Sequence, residues 1–339
     1  MRILIWHLHG GWMNSFTRGE HEYVIPATPA SYSDPVPADA HLRDEHIDAV
    51  ILQRTEEIEL TAKLLGRRPG KDIAAVFLEH NTPKLLPVTE RHPLADQREI
   101  PIVHVTHFNR LVWDCGNART SVIEHGIVDS GLQYTGEIPA LGVVINEPVR
   151  RGRVTGTDLL PQFSRAGRLD CFGIDVDQLP AALELGPDRL QVVGDLPTAS
   201  LHQELARRRA YLHPLRWTSL GLSLLEAMTL GMPVIAVAST EAARAVPPTA
   251  GAISADPDEL VRAAKRLLAD PSEARERGRL ARNFALEHYG LDRFLNDWTA
   301  LLTDLTSVRR GQGHAADSPR ERAHPSPRTP VLTTEGATP

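Results

Sequence analysis

One stretch, residues 190–236, constrains the fold most, because strand-like and helical segments alternate along it. Its sequence is LQVVGDLPTASLHQELARRRAYLHPLRWTSLGLSLLEAMTLGMPVIA. The pattern predicts a strand, a helix, a short strand, a loop, a second helix and a final strand. In a parallel sheet this order places the loop and the start of the second helix at the carboxyl edge of the strands. Such edges bind nucleotides and phosphates, because a helix N-terminus presents unpaired N–H groups.

The same alternation extends along most of the chain in two successive series. The first series has apolar runs at 2–8, 48–52, 73–78 and 102–105, and the second has them at 141–145, 169–172, 190–193, 210–213 and 234–238. Each series predicts a mostly parallel sheet covered by helices. We therefore predict an α/β protein whose two domains face each other across a cleft that suits a bridging ligand.

The predicted domain boundaries follow from composition. We assign residues 1–135 to the first domain and 136–290 to the second, because the connecting stretch is polar and contains glycine. Residues 291–307 form a last helix. Residues 308–339 are rich in Pro, Ser, Thr and Arg and lack an apolar period, which predicts a disordered tail.

Composition also narrows the function classes. The net charge of −6 argues against a nucleic-acid-binding protein, which usually carries a basic face. Cys115 and Cys171 are the only cysteines and lack metal-ligand spacing, which indicates a reduced, cytoplasmic protein. The apolar N-terminal run is too short for a signal-peptide core or a membrane span. The basic-aromatic segment 207–217 could contact anionic lipid at the membrane, but its strand-like centre favours a place inside the fold.

The candidate residues for chemistry lie at predicted strand and helix ends. Gly221 allows the backbone to approach a ligand, the following helix start suits a diphosphate, and Glu226 could hold two ribose hydroxyls. Glycine loops before helices are also frequent without a ligand, so an ordinary loop end and a solvated glutamate remain open. His80 closes the strand at 73–78 on the cleft side. His9 follows the first strand, although a single strand-end histidine is more often a packing or turn residue.

Residues 211–236 resemble the nucleotide-sugar-binding segment of the GT-B glycosyltransferases, in particular the retaining group 1 (GT4) family. The family pattern there is a proline, an E-G-F-G-L loop, a leucine pair followed by E-A-M, and G-x-P-V-I-A. This chain has in register Pro214, Gly221, Leu222, Leu225–Met228 and Gly231–Ala236. A weaker resemblance extends over most of residues 1–307.

The resemblance implies the GT-B fold, with two Rossmann-like parallel α/β domains and a C-terminal helix that crosses back to the first domain. It implies a glycosyltransferase that moves a sugar from a nucleotide-diphosphate sugar, with retention of configuration, to an unknown glycan, lipid-linked or small-molecule acceptor. It also implies a role in cell-envelope or glycoconjugate biosynthesis, with no cofactor and no metal.

The resemblance further implies a role for individual residues. The second domain would bind the donor and the first would admit the acceptor. The catalytic residues would be His80, Thr218 and Glu226. The donor-binding residues would be Arg150, Arg151, Thr155, Gly194, Ser219, Leu220, Gly221, Leu222 and Glu226. The acceptor-side residues would be His9, Gly10 and Gly11.

Two positions depart from the family pattern. The family usually has a glutamate where this chain has Thr218, and a lysine where it has Thr155. Arg150 and Arg151 could neutralise a diphosphate instead, unless they belong to a solvated basic loop. The departures leave two alternatives: a catalytically degenerate protein that binds a nucleotide or glycan, and an epimerase or hydrolase of nucleotide sugars with the same fold.

Overall fold

The first domain is a six-stranded parallel sheet. A computed structural model describes residues 1–8, 10–26 and 42–316, with side chains up to residue 307. The strands are β1 (Arg2–Ile5), β2 (Glu22–Val24), β3 (Ala49–Leu52), β4 (Ala74–Glu79), β5 (Ile102–His104) and β6 (Thr120–Val122), and the helices are α1 (Gly10–Phe16), α2 (Glu56–Leu65) and α3 (His107–Val112). The strand order is β2-β1-β3-β4-β5-β6, and all neighbours are parallel.

The second domain is also a six-stranded parallel sheet, in the order β12-β11-β10-β7-β8-β9. Its strands are β7 (Ile138–Val144), β8 (Leu169–Phe172), β9 (Leu190–Gly194), β10 (Arg208–His213), β11 (Val234–Val237) and β12 (Gly251–Ser254). Its helices are α4 (Pro148–Arg151), α5 (Leu160–Phe163), α6 (Leu179–Leu183), α7 (Thr198–Ala206), α8 (Leu222–Leu230), α9 (Ala242–Ala245), α10 (Pro257–Ala269) and α11 (Pro271–Tyr289). The predicted boundary at 135/136 falls between β6 and β7.

The strands are apolar because helices cover both faces of each sheet. β3, β4, β8, β10 and β11 are buried along their whole length. Two hydrophobic clusters, one on each face, form the core of each domain. The segment 207–217, considered as a lipid contact, contains β10 at its centre, and Arg208 is held there by an ion pair to the buried Asp170.

A last helix, α12 (Leu291–Ala316), returns to the first domain. Phe294, Trp298 and Leu302 are at most 1% exposed and pack in one cluster with Trp12 and Phe16 of α1. The crossover of the C-terminal helix is therefore confirmed. The helical backbone continues beyond residue 307, so the tail predicted to start at 308 is wrong for 308–316, and residues 317–339 lie outside the described part.

The strand order reverses once in each sheet, between β1 and β3 and between β7 and β10. In parallel sheets, ligands bind beyond the carboxyl ends of the strands at such a reversal. The two carboxyl edges face each other: the Trp217 indole N–H, after β10, donates to the carbonyl of Pro83, after β4, at 2.7 Å. The N–H of Phe108 donates to Oε2 of Glu241 at 2.7 Å. Both reversal points therefore open onto one cleft between the domains.

None of the helices in the described part of the chain combines the length and the hydropathy that crossing a membrane requires.

Candidate functional site

The cleft between the two carboxyl edges has a volume of about 1010 Å³. Its walls come from loops that follow strands of both sheets, as the strand reversals require. Seven of the residues predicted from sequence line it, namely His80, Arg150, Arg151, Thr218, Ser219, Leu220 and Leu222. Positions up to about 140 residues apart in the chain (from 80 to 222) thus meet in one place.

The start of α8 forms one wall of this cleft. Gly221 precedes the helix in an extended conformation, and no side chain caps the helix N-terminus. The hydroxyl of Ser223 is instead engaged with the phenol of Tyr211 at 2.9 Å. The first N–H groups of an α-helix have no intrahelical partner. They are therefore available to an anion in the cleft.

Gly221 lies close to a ring at the end of the neighbouring strand. A Cβ at this position would lie 3.0 Å from Cε1 of His213, which ends β10. His213 is fully enclosed, and burial lowers its pKa to about 3, so the ring is neutral at physiological pH. A small residue above a neutral ring lets the loop lie close to the sheet edge.

Two arginines line the same cleft as the helix start. The expected loop around them is instead a short helix, α4, because Pro148 at the first turn favours helix initiation. Arg150 donates from Nε to Oε1 of Glu147 at 2.8 Å. Arg151 is half-buried, and burial together with the neighbouring Arg150 lowers its pKa. An anion beside Arg151 would offset this crowding of positive charge.

Thr218 and Ser219 lie between the helix start and the first domain. The Thr218 hydroxyl oxygen is buried and has no hydrogen-bond partner among the described residues. A buried hydroxyl without a partner costs free energy, so a ligand hydroxyl that pairs with it would be favoured. Ser219 is 9% exposed and lines the same wall.

Glu226 lies one helical turn beyond Leu222 on the same side of α8. Its side chain is 24% exposed, and Oε2 lies 3.8 Å from Nε2 of His202. Burial is the main cause of the raised pKa of the Tyr211 phenol, and the nearby charge of Glu226 raises it further. Glu226 does not line the cleft, so the structure does not bring it together with the predicted residues that do.

Two predicted donor-binding residues are placed differently from the expectation. Thr155 is 1% exposed, and its hydroxyl is engaged by the Gly152 carbonyl at 3.0 Å and the Thr157 hydroxyl at 2.9 Å. Its hydroxyl therefore holds the turn after α4 and does not face the cleft, which corrects its predicted role. Gly194 ends β9, two strands from β7, and does not line the cleft either.

On the first-domain wall, His80 is held in a defined tautomer. Its Nε2 lies 2.8 Å from Oε1 of Gln53, whose amide nitrogen donates to the carbonyl of Trp6 at 2.9 Å. Because that carbonyl only accepts, the Gln53 oxygen must face the ring, and Nε2 of His80 is the donor. In the neutral ring Nδ1 is then the basic nitrogen. The ring also stands edge-on to Trp12 at 5.5 Å.

The predicted acceptor-side glycines lie at the start of α1. A Cβ on Gly11 would lie 2.8 Å from Cδ1 of Leu222, so the starts of α1 and α8 approach each other across the cleft. Gly10 is exposed, with nothing within 4 Å of an added Cβ. His9 lies outside the described residues.

Sequence reasoning missed several long side chains that line the cleft: Trp12, Arg54, Lys84, Glu147 and Trp217. Arg54 follows β3 and Lys84 follows β4, so the rule that predicted His80 also applies to them. Trp217 precedes Thr218, donates to the Pro83 carbonyl and stands edge-on to Phe108 at 5.6 Å. Its bridging role depends on how the domains meet, which no local pattern indicates.

Comparisons with known proteins agree with this geometry. The profile of the family described as "Glycosyl transferases group 1" matches residues 178–284, which include α8 and Glu226. The fold is similar to that of a sucrose-phosphate synthase from Thermosynechococcus elongatus, at a TM-score of 0.69 and 15% identity, over 91% of this chain and 100% of that one. The chain has the GT-B fold and is similar to the group 1 glycosyltransferases. The predicted GT-B fold and the predicted resemblance to the group 1 glycosyltransferases are therefore both confirmed.

Further GT-B structures extend the comparison. HepE from Anabaena, solved with UDP-glucose, gives a TM-score of 0.65 at 15% identity, over 90% of this chain and 100% of that one. TarM from S. aureus, solved with UDP, gives 0.57 at 14% identity, over 75% of this chain. This chain spans 55% of the length of TarM. No curated protein sequence matches the chain.

Proposed function

We propose that the protein transfers a sugar from a nucleoside-diphosphate sugar to an acceptor bound in the cleft. The observation that carries the proposal is the convergence of Arg151, the uncapped start of α8 and the unpartnered Thr218 hydroxyl in a single cleft. Each element suits one part of such a donor: cation and N–H groups suit the diphosphate, and the hydroxyl suits the sugar. The group 1 profile match and the UDP and UDP-glucose complexes of similar folds support the same assignment.

The proposed chemistry follows from where charge develops. Breaking the bond between the sugar and the diphosphate builds negative charge on the leaving group. The N–H groups at the start of α8 and the guanidinium of Arg151 are already in place to stabilise that charge. Glu226 would hold the ribose through two hydroxyls. In this proposal the protein needs no metal or other cofactor for the diphosphate.

Retention of configuration is part of the proposal. The acceptor would attack from the face that the diphosphate leaves, and a leaving phosphate oxygen would take the acceptor proton. His80 would lie on the acceptor side with its Nε2–H held by Gln53, so that it orients a hydroxyl without moving itself. The loops that join the two domains would exclude water from the donor bond.

Nucleotide binding tests the donor site. Arg151→Ala and Glu226→Ala should each weaken UDP, GDP or ADP binding by about 1–3 kcal/mol, because each removes a charged hydrogen-bonding group. Arg153→Ala is the matched control, since Arg153 pairs with Asp158 at 2.7 Å and does not line the cleft. Isothermal titration calorimetry measures all three. Unchanged affinity for every nucleoside diphosphate in the first two variants would refute the donor site.

The second candidate is a protein that binds a nucleotide sugar without transferring it. It is favoured by Thr218, which brings no charge to the position where the family has glutamate, and by the internally engaged hydroxyl of Thr155. Mass spectrometry of products with and without acceptors separates transfer, hydrolysis or epimerisation, and binding alone. If Thr218→Glu raises turnover with a common hexose donor, Thr218 sets an altered sugar preference and not a loss of activity.

We also propose that the protein works in the cytoplasm, in glycoconjugate or cell-envelope biosynthesis, with peripheral membrane contact if its acceptor is lipid-linked. Cys115 and Cys171 are both buried free thiols, which suits a reducing compartment. Fractionation of cells that express the tagged protein tests the location. Recovery of the active protein from outside the cytoplasmic and membrane-associated fractions would contradict it.

A further inference from the structure

The first-domain wall of the cleft carries a positive charge that the donor does not require. This wall consists of Trp12, Arg54, His80, Asn81, Thr82, Lys84 and His125. It contains two permanent cations and no carboxylate, in a chain whose net charge is −6. A positively charged surface in a protein of negative net charge favours the binding of an anionic ligand.

The carboxylates near the two cations bind backbone N–H groups of the wall. Glu90, beside Lys84, accepts the N–H groups of Leu85 and Leu86 at 2.6 and 3.1 Å. Glu57, the acid that interacts with Arg54, is fully buried and accepts the N–H groups of Gln53 and Arg54 at 2.7 and 3.2 Å. Glu79 accepts the N–H of Asn81 at 2.6 Å and lies 3.2 Å from Nε2 of His92. Glu57, Glu79 and Glu90 therefore stabilise the loops that present the wall, and none of them lines the cleft.

The opposite wall has its own cations for the donor. Arg150 and Arg151 line the second-domain side together with the start of α8, where the proposed diphosphate lies. Arg150 is paired with Glu147, which also lines this side, so Arg151 and the N–H groups at the start of α8 remain for the diphosphate. The charges of Arg54 and Lys84 then face the half of the cleft that the acceptor occupies.

We propose that the acceptor carries an anionic oxygen group, a phosphate or a carboxylate, bound by Arg54 and Lys84. This inference rests on the proposed function and specifies its acceptor. Arg54 is half-buried and can present a planar pair of N–H groups, whereas Lys84 is exposed and supplies a point charge at the rim. The hydroxyl that receives the sugar would then lie nearer to His80, deeper in the cleft.

The anion could belong to a small molecule or to a lipid headgroup. Leu85 and Leu86, directly after Lys84, are 81% and 60% exposed, so the rim at this point is apolar as well as cationic. The shared chemistry is an anionic oxygen group beside a sugar-accepting hydroxyl. The experiment therefore includes soluble and vesicle-borne anions.

Binding to the protein saturated with UDP gives a test that does not depend on turnover. The probes are glucose 6-phosphate against glucose, glucuronate against glucose, and phosphatidylglycerol vesicles against phosphatidylcholine vesicles. We expect at least one anionic probe to bind about tenfold or more tightly than its neutral partner. Calorimetry measures the soluble pairs and vesicle co-sedimentation measures the lipid pair.

Three variants test whether Arg54 and Lys84 cause the preference for anionic probes. Arg54→Gln and Lys84→Gln should each reduce the anion preference by about tenfold while the affinity for UDP stays the same, which also shows that the variants are folded. Lys265→Gln, at an exposed position on α10, removes the same charge far from the cleft and should change neither value.

The outcomes separate the two proposals. If UDP binds but no anionic probe is preferred, or if the preference survives both wall substitutions, the anionic acceptor is refuted and the donor site stands. If UDP itself fails to bind, the proposed function is refuted, and the acceptor inference falls with it.

Discussion

Glu57 provides a quantitative test of how the first-domain wall is built. The side chain is fully buried, Oε2 accepts two backbone N–H groups, and Oε1 has no hydrogen-bond partner among the described residues. Burial is the largest effect on this carboxyl and raises its pKa from 4.5 to about 7, against the two hydrogen bonds, which lower it. Glu57 therefore binds the backbone of Gln53 and Arg54, but burial of its ionised form lowers the free energy of unfolding by an amount that depends on pH.

The sign and size of that cost follow from proton binding. Because the folded protein binds this proton more tightly than the unfolded chain, stability is highest below pH 4.5 and falls as the pH rises to about 7. A rise in pKa from 4.5 to about 7 corresponds to about 3 kcal/mol. Glu57→Gln keeps an oxygen acceptor and the same shape but cannot ionise, so this loss should disappear.

The assay is urea unfolding between pH 4 and 8, followed by the fluorescence of the buried Trp6 and Trp12. The measured quantity is the difference in unfolding free energy between Glu57→Gln and the unaltered protein, which cancels groups that titrate in both. It should grow by about 3 kcal/mol in favour of the variant as pH rises across this range. Glu56→Gln makes the same change at the exposed neighbouring position and should show no such growth. A flat difference for Glu57→Gln would refute the reasoning.

Two further predictions concern the packing of each domain. Asp170→Ala should lower the stability of the second domain by about 1–3 kcal/mol, because it removes the fully buried carboxylate that pairs with the Arg208 guanidinium at 2.9 Å and leaves that cation only Glu204. A thermal melt measures this, and a Tm within experimental error of the unaltered protein would contradict it. Gly126→Ala should cost about 1–3 kcal/mol, since its Cβ would lie 2.4 Å from Cβ of Phe294 on α12. Gly10→Ala is the control for the same melt, and an equal loss in both variants would argue against a clash at α12.

The alternation of strands and helices was predictable because the period of apolar residues depends only on local sequence. β10, α8 and β11 lie where residues 190–236 indicate, and the helix start that faces the cleft was predicted from this alternation together with Gly221. His80 was predicted for the same kind of reason, since the end of a parallel strand lies at the ligand-binding edge.

Other features of the site depended on contacts between distant residues. Thr155 matches a family position, yet its hydroxyl is engaged by Gly152 and Thr157, and no sequence pattern shows this. The segment predicted as an arginine-rich loop forms the helix α4, because Pro148 at its first turn favours helix initiation despite the polar composition. Arg54 and Lys84 belong to loops of no special pattern and face the cleft only because β3 and β4 lie beside the strand reversal.

The sequence by itself determined which segments form strands and helices, and which helix begins at the carboxyl edge of its sheet. These properties follow from residue-by-residue periodicity and backbone preference, which act over a few positions. Only the tertiary structure decided which charges share a wall, which tautomer His80 adopts and which hydroxyl lacks a partner. Those properties depend on groups that lie far apart in sequence and become neighbours only when the two carboxyl edges meet.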